Sequence, residues 1–193
     1  MIGGADDAGT ENPDADGGEG GGERTVLVDA GAFITLAAVD AVDLLTGLDG
    51  DVVVPERVAD ELVDDRSATA LANARERGRI RVVRAESRLG DARSHLGVSG
   101  EDRQNPGDVG LLACALDAEQ AVAVTDDKPL RDACKALSIP VSGSIGVLVR
   151  AVERGHVEAD EAVETLYAMD EVGARLSASL VRRAVQLIEN AED

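Results

Sequence analysis

The sequence predicts one α/β domain built on a mostly parallel sheet of about five strands, with a pair of helices after it. From residue 25 onward, short β-branched runs alternate with segments whose apolar residues recur at helical spacing. The strand-like runs are continuously apolar, which is typical of parallel strands covered by helices on both faces. The length of 193 residues and the apolar content of 44% are sufficient for one hydrophobic core.

Five segments have the composition of strands. They are short, rich in valine and bounded by charged residues, glycine or proline. The predicted strands are residues 25–29, 52–54, 79–83, 121–125 and 139–142. The last strand is expected at an edge of the sheet, because Pro140 cannot donate a hydrogen bond to a neighbouring strand.

Helical spacing is found between these strands and after the last one. Pro55 is a favourable first helical residue, and Gly78 is a favourable position for a helix to end. The predicted helices are residues 30–45, 55–65, 67–78, 108–119, 128–138, 143–155, 159–172 and 177–190. The stretch between residue 83 and Pro106 has no clear period and is expected to be irregular, with a turn at Pro106 and Gly107.

The chain divides into three parts by composition. Residues 1–23 contain eight glycines, seven acidic residues and no basic residue, so we expect an acidic, disordered tail. Residues 24–150 form the predicted α/β domain. Residues 151–193 carry the helical pair, in which Leu180, Ala184 and Leu187 share a face. This pair is expected to pack on the domain or to lie at a dimer interface.

The charge balance indicates where the protein works. Acidic residues outnumber basic ones by 38 to 19, which gives a formal net charge of −19. All basic residues but Lys128 and Lys135 are arginine, and only 1% of residues are aromatic. The negative net charge excludes a protein that coats DNA by electrostatic attraction. The excess of acids with few lysines and few aromatic residues predicts a salt-rich, halophilic cytoplasm. Because salt screens repulsion between like charges, stability is expected to rise with salt.

No segment is predicted to enter a membrane. The longest apolar stretch, residues 30–39, is far shorter than the roughly 20 residues that a helical span needs. The first residues lack the basic flank and apolar core of a secretory signal. Cys114 and Cys134 form no metal-ligand spacing and are expected to be buried thiols. We therefore expect a soluble cytoplasmic protein.

Carboxylates are predicted to gather at one edge of the sheet. Asp29 ends the first strand, and Asp126 and Asp127 follow the fourth. Asp108 opens a helix and Glu61 lies on the helix after the second strand, where both could reach the same edge. Converging carboxylates favour Mg²⁺ or Mn²⁺, which would support metal-assisted phosphoryl chemistry. Alternatively, these acids are helix caps, turn residues or surface ion-pair partners.

Four segments together resemble the PIN-domain family of VapC-like ribonucleases, and more narrowly its predicted nucleic-acid-binding proteins of unknown function. They occur in the family's order and are followed by ARLSASLVRRA, which resembles that subgroup's last helix. The segments are VLVDAGAFITLAAVDAVDLL, VVVPERVADEL, NPGDVGLLACALD and AVAVTDDKPLRDACKALSIPVSGSIGVLVRAVERG. The resemblance implies a three-layer α/β/α fold and a Mg²⁺- or Mn²⁺-dependent endoribonuclease.

The resemblance also implies an acidic quartet. Its members would be Asp29, Glu61, Asp108 and either Asp126 or Asp127. Thr125 matches a hydroxyl residue that would orient a carboxylate or water. The chain departs from the family in two places. It has Ala30 where many members carry serine or threonine, and it has Gly107 and Asp108 where members of the closer subgroup often have a Glu-containing turn near the third acid.

Arginines are the expected contacts for RNA. Eight arginines face five acidic residues between positions 75 and 103. The candidate phosphate contacts are Arg79, Arg81, Arg84 and Arg131; the alternative is a solvated face with local ion pairs. The expected partners are an RNA substrate, a second copy of the chain in a homodimer, and an antitoxin-like protein. Two other functions stay open: a non-catalytic module that binds RNA or protein, and a small-molecule-binding domain, against which the segment DAGAF argues because it is no phosphate loop.

Overall fold

The computed structural model describes residues 24–85, 87–98, 105–174 and 176–192. Its centre is a sheet of five strands, all of them parallel to their neighbours. The strands are β1 (Thr25–Val28), β2 (Asp51–Pro55), β3 (Arg81–Val83), β4 (Ala121–Val124) and β5 (Val141–Ser142). They lie in the order β3-β2-β1-β4-β5, so β5 is an edge strand as expected. The predicted tail, residues 1–23, lies outside the described residues.

Nine α-helices surround the sheet in the described part of the chain. They are α1 (Ala30–Ala38), α2 (Glu56–Ala59), α3 (Asp65–Glu76), α4 (Leu89–Leu96), α5 (Pro106–Asp117), α6 (Lys128–Ala136), α7 (Ser144–Glu153), α8 (Ala159–Met169) and α9 (Ala178–Glu189). On one face, α1 packs against α3 and α7; on the other, α5 packs against α2, α4 and α6. This is the three-layer α/β/α arrangement that the sequence predicts.

Two predicted helices end more than five residues earlier than expected. The first ends at Ala38 because Asp40 takes a left-handed conformation (φ 56°), after which a 3-10 helix covers Val42–Gly47. The second ends at Ala59. Asp64 then caps α3 by accepting hydrogen bonds from the backbone N–H groups of Arg66 and Ser67, so the intervening residues form a loop.

Helix α4 was not predicted, since its segment was expected to be irregular. It buries Ala92 alone, and its remaining residues are polar or partly exposed, so apolar periodicity is weak. The third strand also begins later than predicted. The backbone N–H of Arg79 donates to Ala74 O, which keeps residues 79 and 80 in the turn that ends α3.

The apolar core consists largely of valine, leucine and alanine, with Phe33 fully buried beside the sheet. Residues of α8 and α9 form a second cluster together with Leu148 and Val152 of α7. Between α8 and α9 the chain turns over Asp170–Ala174, where Gly173 has a φ of 103°. Of the helices that the structure describes, none combines the length and apolar character that a membrane crossing requires.

Candidate functional site

The strand order places a crevice between the carboxyl ends of β1 and β4. The chain fills the sheet outward from β1 to β3 on one side, then returns to add β4 and β5 on the other. In open α/β sheets, ligands bind where the strand order reverses in this way. Asp29 follows β1 and Thr125 follows β4 at this point, since Val28 and Val124 are register partners.

Asp29 is a buried carboxylate, with only 6% of its surface exposed. Its Oδ1 accepts a hydrogen bond from the backbone N–H of Ala30 (2.7 Å), and its Oδ2 accepts one from Thr125 Oγ1 (3.0 Å). Burial raises the pKa of Asp29; these two hydrogen bonds oppose the rise, and the charges of Asp127 and Glu61 add to it. The position is therefore held firmly and is electrostatically costly to ionise.

Thr125 connects the ends of the two central strands. The residue is completely buried, and its hydroxyl donates to Asp29. The same hydroxyl oxygen accepts a hydrogen bond from the backbone N–H of Asp127 at 3.1 Å. A single side chain thus fixes both the orientation of the Asp29 carboxylate and the path of the chain into Asp127.

Glu61 reaches the edge from the loop after α2, whereas the sequence placed it on a helix. Its Oε1 accepts a hydrogen bond of 2.7 Å from the backbone N–H of Gly107, the second residue of α5. The first N–H groups of a helix have no partner within the helix, so this carboxylate satisfies one of them. The contact joins the loop to the start of α5.

Asp108 lies in the first turn of α5. Its pKa is raised to about 7, chiefly because the side chain is partly buried. The charges of Asp29, Asp127 and Glu61 raise it further, and the side chain of Asn105 acts in the opposite direction. Four carboxyl groups therefore share one region, and each charge there disfavours ionisation of Asp108.

The two acids after β4 point to different places. Asp127 caps α6 by accepting from the backbone N–H of Leu130 (2.9 Å), and its charge acts on Asp29 and Asp108. Asp126 instead binds the start of α7. Its Oδ2 accepts from Ser144 Oγ (2.5 Å) and its Oδ1 from the Ser144 backbone N–H (3.1 Å).

Ser144 is a contributor that the sequence did not suggest. It is buried, and both its hydroxyl and its backbone N–H are used to hold Asp126. Together with Arg131 and Asp126 it lines a cavity of about 1020 Å³ between the sheet, α1, α7 and the C-terminal helices. Only the structure reveals this contact, because 18 residues separate the two partners.

The candidate arginines are distributed over both edges of the sheet. Arg84, just after β3, pairs with Glu56 at 3.4 Å, and Arg131 donates to the carbonyls of Thr125 (2.8 Å) and Ser142 (3.0 Å). Both lie at the carboxyl edge. Arg79 and Arg81 lie at the amino-terminal end of β3, on the opposite edge. The structure therefore does not place Arg79 and Arg81 beside the carboxylates clustered around Asp108.

The donor set can be compared with what a metal ion needs. Among the described residues, no three Asp, Glu, His or Cys side chains are placed closely enough to form a metal-binding group as they stand. The chemistry of the donors nevertheless fits a hard divalent cation, because the clustered side chains offer only carboxylate and hydroxyl oxygens. Within the described residues, none of the four clustered acids takes part in a salt bridge.

A family model described as a PIN domain matches residues 25–190. No curated protein matches the chain at a significant level. The matched region begins with β1 and extends through α9, so it contains every element that carries a clustered carboxylate.

Proposed function

The chain belongs to the PIN-domain family, and on this premise we propose that it is a metal-dependent endoribonuclease that hydrolyses RNA phosphodiesters. PIN domains have a nuclease-type fold and generally use divalent metal ions. The observation that supports the proposal most strongly is the clustering of carboxylates at Asp108: burial raises its pKa, and the nearby charges of Asp29, Asp127 and Glu61 raise it further, to about 7. A cluster that is costly without a counter-charge is suited to hold a cation.

The proposed ion is Mg²⁺ or Mn²⁺, and Asp29, Glu61 and Asp108 would hold it. Bound there, a divalent cation supplies an activated water and neutralises the charge that develops on the phosphate. Asp127 is proposed as the fourth acid, with Asp126 as the alternative. The proposal favours Asp127 because its charge acts on Asp29 and Asp108, whereas Asp126 is hydrogen-bonded to Ser144.

The remaining groups would orient the reactants. Thr125 holds the Asp29 carboxylate through its hydroxyl and would keep one oxygen facing the crevice. Asp127, with its backbone N–H fixed by Thr125, would bind and orient the attacking water. Placing reacting groups in a fixed geometry lowers the entropic part of the barrier.

RNA phosphates would contact Arg84 and Arg131, since both lie at the carboxyl edge. Arg84 is exposed and forms its ion pair with an exposed partner, so a phosphate could replace Glu56 at small cost. Arg79 and Arg81 would take no part, because they lie at the other end of β3.

We also propose two protein partners. Exposed apolar side chains on α9, Leu180 (42%) and Leu187 (46%), favour a homodimer through the C-terminal helices, and an antitoxin-like protein is a further proposed partner. From its motifs, we further propose that the chain belongs to the subgroup of predicted nucleic-acid-binding PIN proteins. From its acidic, lysine-poor composition, we propose that it comes from a halophile. The free, buried thiols of Cys114 and Cys134 agree with a reducing cytoplasm.

A second candidate function is a non-catalytic PIN module that binds RNA or a protein. It is favoured by the spacing of the acids: among the residues that the structure describes, no three potential ligands are close enough to coordinate an ion without moving. The absence of a hydroxyl residue at position 30, where Ala30 follows Asp29, favours it as well.

Metal binding and cleavage, measured on the same preparation, distinguish the two functions. Isothermal titration with Mn²⁺ in molar KCl is expected to show binding, and a labelled single-stranded RNA should be cleaved with Mn²⁺ and not with EDTA. Absence of Mn²⁺ binding would exclude the nuclease and favour the non-catalytic module. If the protein binds Mn²⁺ but cleaves none of a varied set of RNAs, the proposed metal site stands and those RNAs are excluded as substrates.

A further inference from the structure

The side chain of Glu61 is held by a contact with a distant part of the chain. It lies in the loop after α2, and the hydrogen bond to its carboxylate comes from Gly107, 46 residues further along the chain. The donor is the backbone N–H of the second residue of α5, at 2.7 Å from Oε1. The direction of the Glu61 side chain is therefore coupled to the start of α5.

A side chain at position 107 would meet the carboxylate of Glu61 in its present position. A Cβ atom there would lie 2.7 Å from Glu61 Oε1, 2.9 Å from its Cδ and 3.0 Å from its Oε2. The φ angle of Gly107 is not in the left-handed region, so the backbone itself does not require glycine. The close approach comes only from the end of the flexible Glu61 side chain, so a larger residue at position 107 would fit if Glu61 turned away.

We propose that Gly107 is a positioning residue for Glu61: the missing side chain lets the carboxylate rest directly against the amino terminus of α5. There Oε1 accepts a backbone hydrogen bond at the favourable end of the helix dipole, and Oε2 would be the oxygen available to a metal ion. This inference rests on the proposed function in one respect, namely that Glu61 is a metal ligand.

Replacing Gly107 with alanine should displace Glu61. The Cβ would push both carboxylate oxygens away and break the hydrogen bond, so the ligand would no longer be held in direction. Loss of a group that orients a metal ligand typically lowers metal affinity by about 10- to 100-fold. We expect a reduction of that size in Mn²⁺ affinity for Gly107→Ala.

Gly90 provides a matched control. It is also the second residue of an α-helix, α4, and a Cβ built there meets nothing within 4 Å. Gly90→Ala removes the same backbone freedom from the unfolded chain without a clash, so it should raise the melting temperature by roughly 1–3 °C. It should leave Mn²⁺ affinity unchanged.

The decisive test is a double-mutant cycle in EDTA, read as melting temperature in molar KCl. Gly107→Ala should lower the melting temperature of the wild type. In a Glu61→Ala background, where the carboxylate is gone, the same substitution should raise it as Gly90→Ala does. If Gly107→Ala does not fold, the double variant Glu61→Ala/Gly107→Ala should fold and regain the stability of Glu61→Ala.

Two results would overturn the inference: an equal loss of stability from Gly107→Ala in both backgrounds, or no loss in either. Mn²⁺ titration of the same four proteins gives the second measurement, with no added loss expected from Gly107→Ala once Glu61 is alanine. If the wild type binds no Mn²⁺, the proposed function fails, yet the cycle in EDTA still decides whether Gly107 positions Glu61.

Discussion

Acidic residues at the two edges of the sheet lie in opposite electrostatic environments. At the amino edge, carboxylates are paired with arginines: Asp51 lies 2.6 Å from Arg81, and Asp49 forms ion pairs with Arg150 and Arg154. These pairs hold the pKa of Asp49 below its usual range, chiefly through the hydrogen bond from Arg150. At the carboxyl edge, burial and neighbouring carboxylates raise the pKa of Asp108 instead.

These two environments distinguish acids that are neutralised by the protein's own arginines from acids that are available to bind a ligand. Exposed ion pairs contribute little to stability, and acids in such pairs have their counter-charge supplied by the chain. A partly buried group of carboxylates without such partners among the described residues is an electrostatic cost in the folded protein. A bound ion or substrate would remove this cost, and for this reason we propose the functional site at the carboxyl edge.

The largest expected effect comes from removing one charge at each edge. Asp29→Asn should abolish Mn²⁺-dependent RNA cleavage, with a loss of more than about 100-fold, because the substitution keeps the shape of a ligand and removes its charge. Asp51→Asn is the matched control and should leave the rate within about twofold, since it breaks only an exposed ion pair. The assay is cleavage of a labelled single-stranded RNA in molar KCl.

Equal rates for wild type and Asp29→Asn would show that the carboxyl edge is not the reactive one. Loss of activity in both variants would point to a general effect of charge, and the contrast between the edges would then be unfounded. Circular dichroism spectra of the two variants should match the wild type, which separates chemistry from folding.

Metal binding should change stability through the carboxyl edge alone. At a Mn²⁺ concentration 100 times the dissociation constant, a ligand that binds only the folded state adds about 2.7 kcal/mol of stability. For a domain of this size that corresponds to a rise in melting temperature of roughly 5–10 °C. The rise should disappear in Asp108→Asn and persist in Asp51→Asn; a rise that persists in both would place the ion elsewhere.

The fold could be predicted from the sequence because its signals are local. Continuous apolar strands and Pro or Gly at helix boundaries gave five strands in the right places, and the family match confirms the PIN resemblance. Helix α4 escaped prediction because it buries little. The break at Asp40 escaped because a left-handed aspartate leaves no mark in apolar periodicity.

The candidate site was less accessible to sequence reasoning. Asp29 stood out since it directly follows a buried strand, but the choice between Asp126 and Asp127 depends on Ser144, which is far away in sequence. The arginines between residues 75 and 103 are contiguous in sequence, yet β3 separates Arg81 from Arg84 and places them at opposite edges. Spacing along the chain does not report on which end of a short strand a residue lies.

The pH dependence of stability should also differ between the edges. The pKa of Asp108 is about 7 in the folded protein and near 3.8 when unfolded, so the folded state binds the extra proton between these values. Without metal, this contribution is fully present below pH 3.8 and is lost as pH rises toward 7. The melting temperature in EDTA should therefore be lower at pH 7.5 than at pH 5.5.

Asp108→Asn should flatten this dependence, because asparagine has no proton to lose. Saturating Mn²⁺ should flatten it in the wild type as well, since the cation would stabilise the ionised carboxylates. Asp51→Asn should retain the wild-type slope. A slope that is the same in Asp108→Asn and wild type would mean that Asp108 does not titrate in this range.

The smallest expected effect tests the amino edge directly. Arg81 and Asp51 are in contact at 2.6 Å, but their side chains are 59% and 38% exposed, so water and salt screen their attraction. A double-mutant cycle with Arg81→Ala and Asp51→Ala should give a coupling of about 0.2–1 kcal/mol in dilute salt. In molar KCl, where the Debye length is about 3 Å, the coupling should approach zero.

If the pair instead kept a coupling above about 1 kcal/mol in molar KCl, the ion pairs at the amino edge would be structurally important too. The two edges would then differ only in the direction of their pKa shifts: nearby arginines lower the pKa of Asp49, whereas burial and neighbouring carboxylates raise that of Asp108.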